Sequence, residues 1–444
     1  MNTPVCDFCR NYAESDALRL HMPGHKGVPL TGLEPLDLTE IDGADSLFEA
    51  DGILRESEEN ASRLFGAHSF YSTEGSSLCI RAMLQLVCQY ARGKGTRPRV
   101  LAGRNAHKTF LSAAALLDFE IQWLYPAENA SYLSCPVDAA KLEQLLAQDA
   151  PTAVYITSPD YLGNVADLSA VAEVCHRYGV LLVVDNAHGA HLRFLQPSRH
   201  PMDLGADLCC DSAHKTLPAV TGCAYLHVSH NAPAFFAQQA KNALALFAST
   251  SPSYLILQSL DAVNGYLADG YAEKLAAFAA RVQALKARLR AAGFSLLGDE
   301  PLKLTVETRP YGYEGTELAA LLAEKRLFCE FCDRDYLVLM VTPETGEAGL
   351  LRLEEVLLAV PRKTALPQMM PAFFRCEQAL SPREAMLAAC ETLPAEQCLG
   401  RFLANPSVGC PPAVPIVICG ERIGAQALAA FAYYGIESCT VVAE

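Results

Sequence analysis

A chain of 444 residues is too long for one ordinary core, so two or three domains are expected, and 51% apolar against 19% charged residues excludes a disordered chain. A net charge of −15 without a basic run excludes nucleic acid as a partner, and no apolar stretch reaches the ~20 residues of a membrane span. The opening MNTPVCDFCRNYAESDALRL carries acids and no long apolar run, so no signal peptide is expected, and seventeen cysteines without regular spacing point to reduced thiols in a cytoplasmic protein.

In chain order, the first cysteine pair with CxxC spacing is Cys6/Cys9; the second is Cys329/Cys332. Neither has a strand–helix–strand context, and scattered free thiols without a metal are expected. ILRESEENASRLFGA (53–67) has helical spacing and leads into YSTEGSS (71–77), after which LCIRAMLQLVCQYARG is helical again. Gly75-Ser76-Ser77 therefore opens a helix, where small residues and hydroxyls make a cradle for an anion. RVLAG (99–103), AVYIT (153–157), LLVVD (181–185), DLCCD (207–211) and CAYLHV (223–228) read as buried strands. LSAVAEVCHRYG (168–179) reads as a helix ended by Gly179. This alternation predicts an α/β fold with a mostly parallel central sheet flanked by helices. Ligands of such sheets lie beyond the carboxyl ends of the strands. Asp185, the turn holding Lys215, Thr157-Ser158-Pro159 and Arg104-Asn105-Ala106-His107 all fall there.

Residues 260–293 read as one long helix or two joined ones closing on Gly293. FSLLGDEPLKLTVE, helices near 315–326 and 348–359, and FCEFCDRDYLVLMVT then suggest a smaller α/β layer. Pro361, Pro367 and Pro371 precede a last module. The expected division is 1–265 for an N-terminal segment and the major domain, 266–366 for the small domain and 367–444 for the C-terminal module.

The chemistry centres on Lys215. It is the third of three His-Lys pairs, after His25-Lys26 and His107-Lys108, and it alone follows LLVVD by one strand and its connection. A lysine wedged between apolar strands tends to lose its charge, which an amine needs before it attacks a carbonyl. With the buried Asp185 upstream, this is the pattern that pyridoxal phosphate requires: an amine for a Schiff base with the aldehyde, and a carboxylate to keep the pyridine nitrogen protonated. Ser212 and Ala213 are small enough to admit a ring, Ala187 is small enough for a flat ring to lie on the strand, and His107 offers an imidazole to stack on it. His188 and His191 have HxxH spacing, but no third ligand lies nearby, and a metal is not expected.

These motifs extend over nearly the whole chain. LHMPGHKG (20–27), DLTEIDGADSLFEADGIL (37–54), FGAHSFYSTEGSS (65–77), RNAHK (104–108), SPDYLGNVADL (158–168), VDNAHGAHL (184–192), SAHKTLPAVTG (212–222), STSPSYLILQSLD (249–261) and PPAVPIVICGERI (411–423) occur in the order of a known family. The chain resembles the bacterial ornithine/lysine/arginine decarboxylases, pyridoxal phosphate enzymes of fold type I, the aspartate-aminotransferase fold. The resemblance implies that Lys215 is the Schiff-base lysine and Asp185 the partner of the ring nitrogen. It places Gly75, Ser76, Ser77, Ser212 and His214 around the phosphate, His107 over the ring and Ala187 beneath it. Catalysis would fall to Lys215, Asp185, His107 and His188. It further implies a homodimer with the active site at its interface, to which Ser249–Ser251 and the PGHK segment contribute.

What the resemblance implies is α-decarboxylation of arginine, lysine or ornithine, giving carbon dioxide and a polyamine precursor. Other reactions of the same fold, transamination or aldol-type cleavage, remain open, since Arg352, Arg362, Arg375 and Arg401 are available to clamp a carboxylate. So does a catalytically weak paralogue with a binding or regulatory role. Glu74 stands where the family commonly has Asn, Asn186 where it has Glu, Ala213 where it has Thr and Ala413 where it has Gly, and NPSVGC precedes Pro411 in place of an aromatic-bearing run. An acid at 74 opposes anion binding if it points inward. Glu49, Asp51, Glu74 and Glu330 are candidates to meet the distal cation of the substrate. The resemblance begins at the catalytic motif region, so the receiver-like N-terminal wing of some relatives is not expected.

Overall fold

The computed structural model describes residues 1–126, 131–410 and 414–444; Pro411, Pro412 and Ala413 of the last family segment lie outside the described residues. Helices α1 (Pro4–Glu14) and α2 (Ile53–Phe65) precede β1 (His68–Ser72), α3 (Gly75–Gly93), β2 (Arg99–Gly103), α4 (Lys108–Leu117), β3 (Glu120–Leu124), α5 (Ala139–Gln148) and β4 (Ala153–Thr157). Then follow α6 (Leu168–Arg177), β5 (Leu181–Asp185), β6 (Leu208–Asp211), the single turn α7 (Ala213–Thr216), β7 (Ala224–Val228), α8 (Ala234–Ala245), α9 (Tyr254–Ala268) and α10 (Tyr271–Ala291). The smaller layer comprises β8 (Ser295–Leu297), β9 (Lys303–Glu307), α11 (Gly315–Glu324), β10 (Phe331–Cys332), β11 (Tyr336–Met340) and α12 (Gly346–Leu358). The C-terminal stretch adds α13 (Pro382–Leu387), β12 (Cys390–Pro394), β13 (Ser407–Cys410), β14 (Val414–Ile418), α14 (Ala425–Tyr434) and β15 (Ser438–Val442).

The protein is a mixed α/β fold with a largely parallel central sheet flanked by helices, built as two compact units: residues 1–96 with 168–275, and residues 97–167 with 276–444. The first unit carries strands in the order β1-β7-β6-β5. β5 and β6 are parallel, with Val183 opposite Leu208 and Asp185 opposite Cys210, whereas β7 runs antiparallel to both β6 and β1. Every residue of β5, β6 and β7 is buried, which is why these strands read as continuous apolar runs. Helix α3 packs on β6 and β7 through buried residues that include Leu78, Met83, Leu86 and Val87. Helix α1 is tied down by one carboxylate: Asp261 on α9 accepts from Val5 N–H and Cys6 N–H, each at 3.0 Å, and from the Ser57 hydroxyl at 2.5 Å. The stretch 260–293, read as one helix or two joined ones, is two, α9 and α10, separated at Gly270, whose φ of +70° cannot continue a right-handed helix.

In the second unit β2 lies between β4 and β3, all parallel, and a four-stranded sheet runs β10-β11-β9-β8. Phe331, Tyr336 and Val338 of that sheet share a core with Leu403, Ile416, Val417 and Phe431 of the C-terminal stretch. The loop 158–168 is clamped by the β8–β9 hairpin: Gly163 O accepts from the N–H groups of Asp299 and Glu300, each at 3.0 Å, and the Thr305 hydroxyl donates to Leu162 O at 2.8 Å. Among the described residues no helix is long and apolar enough to cross a membrane.

Candidate active site

The first unit brings the predicted lysine and aspartate to neighbouring strand ends. Asp185 closes β5 and is 2% exposed; its Oδ1 accepts from Ala187 N–H at 3.2 Å and from the Cys210 thiol at 3.7 Å. The chain then turns, Gly189 N–H donating to Asn186 O at 2.8 Å, and this turn carries Ala187 and the buried His188. β6 feeds directly into α7, whose single turn holds His214 and the half-buried Lys215. Lys215 Nζ lies 3.1 Å from His188 Nε2, so the strand-end turn and the helical turn meet at an amine and an imidazole. His214 Nδ1 donates to Cys223 O at 3.0 Å, which fixes its ring. The thiols of Cys79, Cys209 and Cys210 below are pushed up by burial and by nearby carboxylates, so they stay protonated.

The predicted anion cradle stands beside this pair. α3 is 19 residues long, and the first N–H groups of an α-helix have no intrahelical partner; that of Gly75 donates to Gly222 O at 2.8 Å. Its N-cap, Glu74, does not cap it. The Glu74 carboxylate instead accepts from Ser249 N–H at 2.7 Å, so the added acid is engaged with the 249–251 segment, and Ser251 N–H in turn donates to the Ser249 hydroxyl at 3.1 Å. Gly75 has φ +70°, and a Cβ there would meet no atom within 4 Å, so the backbone at this turn borders open space. The Ser212 hydroxyl donates to the Ser76 hydroxyl at 2.8 Å, joining the cradle to the segment that carries Lys215. Ser77 lies in the same first turn.

Several other predicted residues belong to the second unit. His107, in the second unit, is the N-cap of α4; its Nδ1 accepts from Thr109 N–H at 3.2 Å and is 2.9 Å from Thr109 Oγ1. In the same unit Arg104 forms a buried pair with Glu421 at 2.9 Å. Of the acids considered for substrate, Glu49 and Asp51 are exposed in the first unit, while in the second Glu330 accepts from the Tyr161 hydroxyl at 3.1 Å. Arg352 donates to Lys325 O at 2.6 Å and Arg401 pairs with Glu391 at 2.6 Å. Sequence reasoning passed over a buried cluster of Asp211, His200 and His227 below the site. Its one sequence signal is an acid closing the apolar run DLCCD, the same pattern that singled out Asp185.

The residues of the first unit fit pyridoxal phosphate by the chemistry of their donor set. A helix N-terminus with adjacent hydroxyls suits the phosphate, an amine suits the aldehyde, and a buried carboxylate suits a protonated ring nitrogen.

Comparison with known proteins agrees. The family profile "Orn/Lys/Arg decarboxylase, major domain" matches residues 3–293. The chain is 29% identical over 453 residues to the uncharacterized protein YaaO of Bacillus subtilis, covering 95% of this chain and 92% of that one. It is 28% identical over 463 residues to an arginine decarboxylase of Halalkalibacterium halodurans, covering 96% and 92%. Among solved structures it is similar to the lysine decarboxylase LdcF of Francisella novicida, with a TM-score of 0.79 at 16% identity over 99% of this chain and 81% of that one. The constitutive lysine decarboxylase of E. coli gives a TM-score of 0.76 at 18% identity over 100% and 82%. At such identities these structures establish the fold, fold type I. The chain belongs to the Orn/Lys/Arg decarboxylase family and is a pyridoxal-phosphate-dependent decarboxylase.

Proposed function

We propose that the protein removes the α-carboxylate of arginine, lysine or ornithine as carbon dioxide, leaving the corresponding amine, and that arginine is the first substrate to test. The observation that carries this reading is the meeting of Lys215 Nζ and His188 Nε2 at 3.1 Å, beside Asp185 and the Ser76–Ser212 pair. Relatives matched along nearly their full length that are arginine decarboxylases support the choice of arginine.

When bound, pyridoxal phosphate supplies an aldehyde for the substrate amine and a ring that takes up the electron pair left by departing carbon dioxide. Lys215 would supply the amine that holds the cofactor aldehyde. Asp185, buried and anchored by Ala187 N–H, would keep the ring nitrogen protonated. The first turn of α3 at Gly75, Ser76 and Ser77, with Ser212 and His214, would hold the phosphate. Ala187 would leave room for the ring, and the family resemblance would give His107 an aromatic role toward it. His188 exchanges a proton with Lys215 Nζ, so that one of the two returns a proton to the substrate α-carbon. Orienting the substrate so that the bond to its α-carboxylate is the one that breaks would be the main task left to the protein.

We read residues 1–265 as the cofactor-binding part, 266–366 as a small α/β domain and 367–444 as a C-terminal module. We also infer a homodimer with the active site at its interface. Leu18, Leu20, Met22, Val28, Leu30 and Leu33 each expose more than half their surface around the PGHK segment, which supports that inference. Unbridged thiols throughout the described residues support a cytoplasmic setting, where the amine product would enter polyamine synthesis.

The test is incubation of the loaded enzyme with arginine, lysine and ornithine, with products read by mass spectrometry. Carbon dioxide with agmatine, cadaverine or putrescine is expected, and none from Lys215→Ala. A keto acid would turn the assignment to transamination.

A further inference from the structure

Below the Lys215–His188 pair, in the same unit, lies a buried constellation that no step above uses. Asn186, His200, Asp211 and His227 are all 0% exposed. The pleat explains where it sits. Asp185 and Cys210 are opposite one another on β5 and β6 and share a face, since the Cys210 thiol reaches Asp185 Oδ1. One residue further along each strand the side chains point to the reverse face. There Asn186 Nδ2 donates to Asp211 Oδ1 at 2.6 Å, while Asn186 N–H donates to Cys210 O at 3.0 Å.

Asp211 is held from behind. Its Oδ2 accepts from His200 Nε2 at 3.0 Å and from His227 Nε2 at 3.2 Å. His200 Nδ1 accepts from Met202 N–H at 3.3 Å, so the His200 proton is on Nε2 and the ring is neutral. His227 Nδ1 is 2.8 Å from the Ser69 hydroxyl, and burial holds the His227 ring below its ordinary value, so it too is neutral and donates through Nε2. Burial alone would raise the Asp211 carboxyl, but the two imidazoles hold it well below the usual carboxylate range. The result is one buried carboxylate satisfied by three N–H donors. Ligand atoms of His200, Cys209 and Asp211 lie within 4.8 Å of one another, yet the His200–Asp211 hydrogen bond engages two of them and the Cys209 thiol stays protonated.

We propose that the Asn186–Asp211 link is a positioning device that locks the pleat phase of the two strand ends, so that Asp185, one residue before Asn186, and Lys215, four residues after Asp211, are presented to the same cofactor. This rests on the reading of Asp185 and Lys215 given above. Slippage by one residue exchanges the faces of a strand, and at a strand end little backbone pairing remains to resist it. A side-chain bond between a carboxylate and an amide, one residue beyond the working pair, supplies the missing constraint.

The test uses the full chain loaded with pyridoxal phosphate. Parent and variants are checked for fold by circular dichroism, titrated for cofactor affinity, and reduced with borohydride so that the labelled peptide is identified. The parent is expected to carry the label on Lys215. Asn186→Leu cuts the link without adding charge and is expected to weaken cofactor binding by about tenfold or more. Asn186→Asp sets two carboxylates against each other in a buried site, where they must share one proton, so its cofactor binding is expected to fall between about pH 6 and about pH 9 while the parent shows no such step. Other titratable groups sense Asp211: Cys209 and Cys210 on β6, Tyr225 and His227 on β7, Cys79 on α3 and His200 before β6, with Arg193 acting on His227. Because all of these are shared with the parent, a step seen only in the variant belongs to the new pair. Adding Asp211→Asn to Asn186→Asp restores an N–H···O link of reversed polarity, with the carboxamide oxygen still facing both imidazoles, and is expected to recover most of the affinity. If Asn186→Leu does not fold, the comparison of Asn186→Asp with its double variant decides. Folded Asn186→Leu binding within about twofold of the parent, or a double variant no better than Asn186→Asp, overturns the proposal. A parent label on another lysine overturns the reading beneath it and the proposal together, whereas a label on Lys215 with indifferent variants overturns the link alone.

Discussion

Arg104→Met tests how far one buried charge pair ties residues 97–167 to the C-terminal stretch within the second unit. Arg104 and Glu421 are 4% and 2% exposed. Arg104 Nη2 reaches both carboxylate oxygens, at 3.2 and 2.9 Å, and Nη1 donates to Pro415 O at 3.0 Å. Methionine keeps much of the stem but removes the cation, leaving the Glu421 carboxylate with one backbone donor, Ile418 N–H at 2.9 Å. Removing one partner of a buried pair costs about 3–5 kcal/mol, because the other charge stays buried and uncompensated. With a urea slope of about 3 kcal/mol/M, the unfolding midpoint of this unit is expected to fall by about 1–1.7 M. Trp123, the single tryptophan, is in the same unit with its ring 5.5 Å from the Arg104 guanidinium, so its fluorescence reports the transition directly. The pH dependence has a definite sign. Burial pushes the Glu421 carboxyl up and Arg104 pulls it back down. Without Arg104 the folded value rises further, so the penalty sets in as pH climbs through the unfolded value of about 4.3 and is complete above the folded one. The deficit of the variant should therefore shrink on acidification, and Glu421→Leu added to Arg104→Met should recover part of it. A midpoint within about 0.3 M of the parent at pH 7.5 would refute the reasoning.

Glu74→Ala should leave cofactor affinity within about threefold, because the carboxylate is turned to Ser249 N–H; it should instead speed proteolytic cleavage near residues 247–252, and a rise in affinity of about tenfold would show that the acid faces the phosphate. Asp211 should shape the acid limb of stability. Its folded carboxyl lies below the unfolded value of about 3.9, so its contribution is present above that pH and is lost as pH falls through the folded value; Asp211→Asn should flatten the limb, read by thermal melts between about pH 1.5 and about pH 5.

Much of the site was legible in the chain because its parts are local. The runs RVLAG, AVYIT and LLVVD coincide with β2, β4 and β5 residue for residue, since strands buried on both faces must be continuously apolar. Asp185 and Lys215 stood out for the same reason: a charge at the end of such a run has to have a purpose or a partner. The strands β1, HSFYS, and β3, EIQWL, went unread because each has a neighbour on one side only and carries polar residues within the run. What sequence could not supply was direction and partnership across distance. Glu74 was an acid beside a cradle until the fold turned it to Ser249, 175 residues on. Arg104 was part of a motif until it met Glu421, 317 residues away. Asn186 and Asp211 were a substitution and a strand end until the parallel pairing of β5 with β6 put them on one face. Composition and periodicity determine which segments are buried and how each is shaped; which buried charges answer one another depends on strand register and chain crossing, and these exist only once the chain has closed on itself.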